Sequence, residues 1–317
     1  MRVGAEIGVL LLLFMLGLEY SGEELKHNLR TGFFTGVSDF VLNFAPGVIA
    51  GLVFGWRILP SLLLGGVTYI SSSGIVAKLL HELGRKKNPE TPIVLSVLVQ
   101  EDLAMAIYLP VIGVLLHGGG AATMALSVSV AVLAVSVVLV VAVRYGSQLS
   151  RFVAHESDEI ILLTVFGIVL VIAGIAQRFQ VSSAIGAFLV GIALSGTVAQ
   201  QSHRVIAPLR DLFAAIFFFF FGLEINPAML VPALPAAVAL GAVTSLTKVL
   251  TGYWAGRRGA LDHKASWRAG VELIARGEFS IVIAGLGVAI EPRLGSVSAC
   301  YVLLMAIIGP ILARIVR

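Results

Sequence analysis

Ile93-Val-Leu-Ser-Val-Leu-Val-Gln-Glu-Asp-Leu-Ala-Met-Ala-Ile-Tyr-Leu-Pro-Val-Ile-Gly-Val-Leu-Leu116 has the length and apolarity of a membrane span, yet it carries Gln100, Glu101 and Asp102 near its middle. A helix that crosses the bilayer needs about 20 mostly apolar residues. An ionised side chain at the bilayer centre costs at least about 3 kcal/mol on insertion scales. Two adjacent carboxyls at that depth point to a site that exchanges a cation or a proton. The alternative is a packed, protonated pair with no such role.

The remainder of the chain agrees with a membrane reading. Of its 317 residues, 58% are hydrophobic and 13% charged, against about 25% charged in soluble domains. The net charge of +4 lies in loops between apolar runs and gives no reason to expect nucleic acid. A single cysteine, Cys300, excludes an internal disulfide and a multi-cysteine metal centre, and the six histidines lack metal-ligand spacing. There is no Gly-rich phosphate loop and no Ser-His-Asp pattern, so neither a cofactor nor enzyme chemistry is expected.

Eleven apolar runs read as spans: 4–20, 32–55, 59–81, 93–116, 122–144, 159–177, 181–197, 211–226, 231–255, 267–290 and 295–315. Alternate loops then collect four basic residues on one side, Arg57 and Arg293 among them, and fifteen on the other, including Arg85, Lys86, Lys87, Arg257 and Arg258. The rich side is cytoplasmic by the positive-inside rule. This places residue 1 outside and residue 317 inside, in a multi-pass protein of the cell's inner (plasma) membrane.

The chain also repeats itself. Phe14-Met-Leu-Gly-Leu-Glu19 resembles Phe219-Phe-Phe-Gly-Leu-Glu224, and each is followed by a polar break in an apolar run, Ser71-Ser-Ser-Gly74 and Gly277-Glu-Phe-Ser280. Gly17 precedes Ser72 by 55 residues, and Gly222 precedes Gly277 by the same 55. Seven spans separate the two copies, so their orientations are opposite. An inverted repeat with interrupted helices at matching places is a sequence mark of secondary transporters. Two spans precede the second Gly-Leu-Glu helix and none precedes the first, which suggests a pair of helices missing from the N-terminus.

Asp102, with Glu101, is the candidate ion- or proton-binding group; carboxylate oxygens suit hard monovalent cations. Lys248, within the apolar run 243–254, is expected to pair with Glu101 or Asp102, unless it snorkels to the cytoplasmic surface near Arg257. The breaks supply Ser71, Ser72 and Ser73, and Arg276, Gly277, Glu278 and Ser280. Unwound backbone at membrane depth is tolerated where it lines protein or water, whereas small residues alone could serve close packing. Gln100 is a polar neighbour of the acids. Asn43 stands at the repeat position of Lys248, each 26 residues after its Gly, and shares a helix face with Asp39. Those two could support the site or be purely structural. Glu19 and Glu224 end their helices near an interface and read as structural.

Ala5–Glu19, the Ser71-Ser-Ser break, Gln100-Glu-Asp102, Phe219–Leu223 and Gly277-Glu-Phe-Ser280 together resemble the monovalent cation:proton antiporter-2 family, in order from about residue 4 to 315. The resemblance implies an all-α sodium/proton antiporter fold with two crossing discontinuous helices, of whose thirteen helices this chain would hold eleven. It implies a single transporter domain over 1–317, with a scaffold and dimerisation part at 4–20 and 159–228. A core ion-translocating part would comprise 32–118 and 231–317, joined by a linker helix at 122–144. The implied activity is exchange of Na+ or K+ for protons by an elevator mechanism in a homodimer, with Asp102 as the ion-binding aspartate. A separate regulatory subunit is conceivable. Glu101 departs from the Asp or Gln usual before that aspartate, which leaves ion choice and stoichiometry open. A cation channel or a sodium-coupled solute symporter on the same architecture remain alternatives.

Overall fold

The computed structural model describes residues 2–18, 22–117, 154–178, 183–194, 196–224 and 227–316, with isolated positions between 129 and 153. Among the described residues the regular elements are helices, and none is a strand. Twelve α-helices are described: α1 (Arg2–Leu18), α2 (Gly22–Val53), α3 (Ile58–Tyr69), α4 (Ser73–Glu82), α5 (Thr91–His117), α6 (Asp158–Arg178), α7 (Ser183–Ala193), α8 (Gly196–Glu224), α9 (Leu230–Arg258), α10 (His263–Glu272), α11 (Glu278–Gly287) and α12 (Pro292–Ile315). The expected span 122–144 lies outside the described residues apart from isolated positions. Seven described segments are long and apolar enough to cross a membrane, which makes this a multi-pass membrane protein.

The chain forms two compact units. One comprises residues 1–27 and 106–224. In it α1 packs on α7 and α8, and α6 packs on both of those. Its core holds Leu11, Phe14, Met15, Ile161, Val165, Ala187 and Ile206. Lipid is as apolar as a leucine side chain, so helices in a membrane associate through close packing rather than escape from water. Gly17 and Gly191 supply it here: a side chain on either would strike the backbone of the other helix.

One boundary differs from expectation in this unit. The runs 181–197 and 211–226 are a short α7 of 11 residues and a long α8 of 29. The polar stretch Gln200–Arg204 reads as a loop, but it is helical, and the Arg204 guanidinium meets Asp158 at the start of α6 at 2.8 Å. The chain turns into α8 at Gly196, whose φ of +63° favours glycine.

The other unit comprises residues 28–105 and 225–317 and carries the inverted repeat. The repeat is regular to the residue. α4 (73–82) and α11 (278–287) are displaced by 205 positions at both ends, and α3 and α10 begin 205 apart. The same displacement relates the glycine contacts. Gly51 packs against Ser61 and Gly256 against Ser266, so the α2–α3 and α9–α10 crossings are built alike. α11 packs on α3 and α12, and α9 packs on α10 and α12. The expected single span 267–290 is therefore two half-helices, α10 and α11, as 59–81 is α3 and α4.

Ion pairs tie the loop before α5 to this unit. Arg85 donates to Glu272 and to the Val316 carbonyl, both at 2.8 Å. Arg268 holds the buried Glu90 with two bonds of 2.6 and 3.0 Å, and Asn88 adds a third at 2.9 Å. Burial raises the Glu90 pKa, but the bonds from Arg268 and Asn88 outweigh it and hold the carboxyl below its ordinary 4.5. A lowered acid contributes stability above its unfolded pKa and loses it as pH falls through the folded value. The thermal stability of the detergent-solubilised protein is thus expected to decline as pH drops below the ordinary glutamate value of 4.5. Glu90→Gln should lower stability at neutral pH and flatten that decline; an acid profile identical to wild type would contradict this role.

Candidate functional site at the crossing of the two helix breaks

Tyr69 ends α3 and the chain runs extended through Ile70, where ψ is 127°. Ser72 caps α4 by accepting the Ile75 N–H at 3.3 Å. The second break spans 273–277. The two breaks touch, since the Ser72 N–H donates to the Ala275 carbonyl at 2.9 Å.

Four helix ends meet here, and each has its charge answered. The C-terminal ends of α3 and α10 present carbonyls with no partner in their own helix. Arg276, fully buried, donates Nε to the Thr68 carbonyl at 3.2 Å and Nη1 to those of Leu273 and Ile274 at 3.0 and 2.8 Å. One guanidinium thus offsets the negative ends of both half-helices. Its Nε also lies 3.1 Å from the Tyr301 hydroxyl. The N-terminal ends of α4 and α11 are positive and face acids. Ser73, the first residue of α4, donates its hydroxyl to Asp102 at 3.3 Å. Glu278, the first residue of α11, accepts from the Ser72 hydroxyl at 3.3 Å.

Glu101 and Asp102 are 1% and 3% exposed. Consecutive helical residues point in different directions, and these two divide the site between them. Glu101 accepts the Ser71 backbone N–H, the Ser71 hydroxyl at 3.0 Å and the Lys248 ammonium at 2.8 Å. Asp102 lies at the α4 N-terminus with Ser73.

Lys248 is fully buried, so it does not snorkel. Of the partners expected for it, the structure supplies Glu101. The second carboxylate is Asp39 of α2, whose two oxygens lie 2.8 and 2.9 Å from Nζ. The Tyr69 ring centroid lies 5.2 Å from Nζ. Asn43 donates to Asp39 Oδ1 at 2.9 Å and accepts from Thr247 at 2.7 Å, which orients the aspartate toward α9. Ser280 donates to the Val67 carbonyl at 2.9 Å and ties α11 to α3. Gln100 donates to Ser96 of its own helix at 3.2 and 3.3 Å. Asp39 is the residue that motif reading left undecided. Its signal was the one that singled out Asp102, an acid inside an apolar span.

Gly277 is required by contact. A Cβ there would overlap the Ser72 side chain, which is already held by Ile75 and Glu278. Overpacking of this kind costs about 1–3 kcal/mol. Gly277→Ala is expected to part the breaks and cut transport about tenfold, with partial recovery on adding Ser72→Gly. Full activity of the single variant in membrane vesicles would show that the breaks tolerate separation.

An inverted repeat of discontinuous helices around buried carboxylates defines a secondary transporter fold. The sequence profile described as "Sodium/hydrogen exchanger, transmembrane" matches residues 1–316, and the chain belongs to that family. It is 37% identical over 313 residues to the K(+)/H(+) antiporter subunit KhtU of Bacillus subtilis (strain 168), covering 97% of this chain and 77% of that one. It is 32% identical over 322 residues to the ammonium/H(+) antiporter subunit AmhT of Alkalihalophilus pseudofirmus, covering 98% and 80%. It is 29% identical over 323 residues to the high-affinity Na(+)/H(+) antiporter NhaS3 of Synechocystis, covering 96% and 69%. The solved structure of the sodium proton antiporter MjNhaP1 from Methanocaldococcus jannaschii superposes with a TM-score of 0.70 at 15% identity, over 98% of this chain and 84% of that one. At that identity the likeness speaks to fold.

Proposed function

We propose that this chain is a monovalent cation/proton antiporter in which Asp102 binds a cation or a proton, never both. The observation that carries this reading is the placement of Asp102: a buried carboxyl at the positive end of a half-helix, with the Ser73 hydroxyl at 3.3 Å. Burial disfavours the charged carboxylate, whereas the helix end and hydroxyl favour it. A cation that sheds part of its hydration shell can be recompensed by Asp102, Ser73 and the unwound backbone, and a proton neutralises the same group. The relatives named for K+, ammonium and Na+ exchange support the reaction class.

The alternating-access step in this reading is an elevator. Residues 32–118 and 231–317 form the moving core and residues 4–20 and 159–228 the dimerising scaffold. The division into units 28–105 with 225–317 and 1–27 with 106–224 supports that partition. The working form is a homodimer in the inner membrane, with residue 1 outside and residue 317 cytoplasmic. A separate regulatory subunit fits two relatives whose names include "subunit".

The test is reconstitution into proteoliposomes carrying a preformed pH gradient. Addition of Na+, K+ or ammonium salts should collapse the gradient for at least one of these cations, with coupled proton movement. Current without coupled proton movement would identify a channel instead. A response that requires an organic solute would identify a symporter.

A further inference from the structure

We infer that the cavity between the α2–α3 turn and the first turns of α9 and α12 is a binding site for a single-chain amphiphile with a carboxylate head, of the fatty-acid type. The cavity has a volume of about 420 Å³. Its lining residues all lie in the unit of residues 28–105 and 225–317. The walls are apolar: Phe54 and Trp56 from the turn, Met229 and Ala233 at the start of α9, and Val297 of α12. Ligand sites are typically clefts of about 300–1,000 Å³, mostly apolar, with a few polar groups that fix orientation. This one is at the small end of that range and suits one apolar chain rather than the two of a phospholipid. Val53, Val231 and Leu234 are next in sequence to lining residues and are exposed, so apolar surface surrounds the site, as an amphiphile arriving from lipid requires.

The polar groups of the lining are short of partners. Ser296 is 2% exposed, and its hydroxyl makes no hydrogen bond among the described residues. The Trp56 indole N–H is buried without a partner, a rare condition that calls for an acceptor. Arg293 lies over the Trp56 ring, 5.7 Å from its centroid. Its Nε and Nη2 go to Glu291 at 3.0 and 3.4 Å, and Nη1 has no partner among the described residues. A free Nη1, an indole N–H and a hydroxyl among apolar walls select a ligand with an acceptor head and an apolar body. A carboxylate makes the stronger, charge-assisted bond to a guanidinium. A cation already shared with Glu291 matches a single negative charge rather than a doubly charged phosphate. α9 begins at the cavity without a side-chain cap, and the positive end of a helix favours the same sign of charge. The site also adjoins the crossing through its helices: deeper along α9 and α12, Thr244 and Tyr301 are 2.9 Å apart, and Tyr301 meets Arg276.

Trp56 itself reports occupancy. The chain has three tryptophans, and Trp254 and Trp267 are on the surface, 38% and 49% exposed. Trp254→Phe with Trp267→Phe should therefore leave the fold intact and Trp56 as the sole indole. The probe is ω-bromododecanoate, whose bromine quenches indole fluorescence on contact, added to the detergent-solubilised protein at alkaline pH. The control is ω-bromododecanol, which enters detergent equally but has no charge. The acid is expected to quench Trp56 saturably, with recovery on adding unbrominated dodecanoate, and the alcohol to give no saturable phase. Arg293→Ala should weaken the apparent affinity about tenfold or more, the effect of losing a hydrogen bond to a charged group. Ala236→Leu, which adds bulk to the cavity wall, should weaken it as well. Equal quenching by acid and alcohol, or an affinity unchanged in both variants, would overturn the inference. Displacement by phosphatidylglycerol at lower concentration than by dodecanoate would also overturn it and assign the cavity to a phospholipid. The comparison of acid with alcohol uses neither cavity variant, so it decides the question even if Arg293→Ala fails to fold.

Discussion

Asp102→Asn is expected to abolish cation-coupled proton movement in proteoliposomes, a fall of at least about a hundredfold, as for removal of a positioned proton-transfer group. The substitution is nearly isosteric, and the amide can still meet the Ser73 hydroxyl that now lies 3.3 Å from the carboxylate. The fold and the helix crossing should therefore survive, and detergent-solubilised protein should elute as wild type does. What disappears is the negative charge that recompenses a dehydrated cation, together with the site a proton can neutralise. Competition at one carboxyl also fixes the wild-type pH response. Below the pKa of that group, the apparent affinity for the cation should fall about tenfold for each pH unit, because one pK unit equals one decade in the protonation equilibrium. Retention of strong exchange by Asp102→Asn would move the ion elsewhere, with Glu278 at the α11 N-terminus the next acid to examine.

The fold was legible because its signals are long-range and redundant. Apolar runs of fixed length, a loop-charge bias and a repeat of two short motifs at one spacing each pointed to the same architecture. The structure sharpens the repeat into a displacement of 205 residues shared by α4 and α11 and by the Gly51–Ser61 and Gly256–Ser266 contacts. The site was less legible because its chemistry sits where the two copies differ. At that displacement Asn43 faces Lys248 in the comparison, Ser71 faces Arg276, Ser72 faces Gly277, and Asp39 is matched by Thr244. A repeat predicts sameness, so it gives no hint that Asp39 and Lys248, 209 residues apart, share two short bonds. The α7–α8 boundary was lost for a different reason. Polarity at Gln200–Arg204 suggests a loop only while the partners of those groups, such as Asp158, are unknown.

Lys248→Ala is expected to be the most destabilising single change in this site. It would leave Asp39 and Glu101, 0% and 1% exposed, as two buried carboxylates facing each other without the cation between them. Breaking a buried ion pair by removing one partner costs about 3–5 kcal/mol, because the remaining charge is uncompensated. The effect should appear as a marked fall in the unfolding temperature in detergent, deepest at alkaline pH, where neither acid can relieve the repulsion by taking a proton. Acidification should recover part of it, because neutralising either carboxylate removes the repulsion. The same protonation would displace the pH profile of any transport that remains. A rescue separates electrostatics from lost packing. Lys248→Met combined with Asp39→Asn and Glu101→Gln replaces the triad with neutral groups of similar volume, and such replacements are often neutral or stabilising. Recovery of stability in the triple variant, with none in Lys248→Met alone, would locate the penalty in the stranded carboxylates. Equal losses in both would place it in the lost Lys248 ammonium contact with the Tyr69 ring, 5.2 Å from its centroid. Unchanged stability of Lys248→Ala would mean that the ammonium does not hold the two acids together.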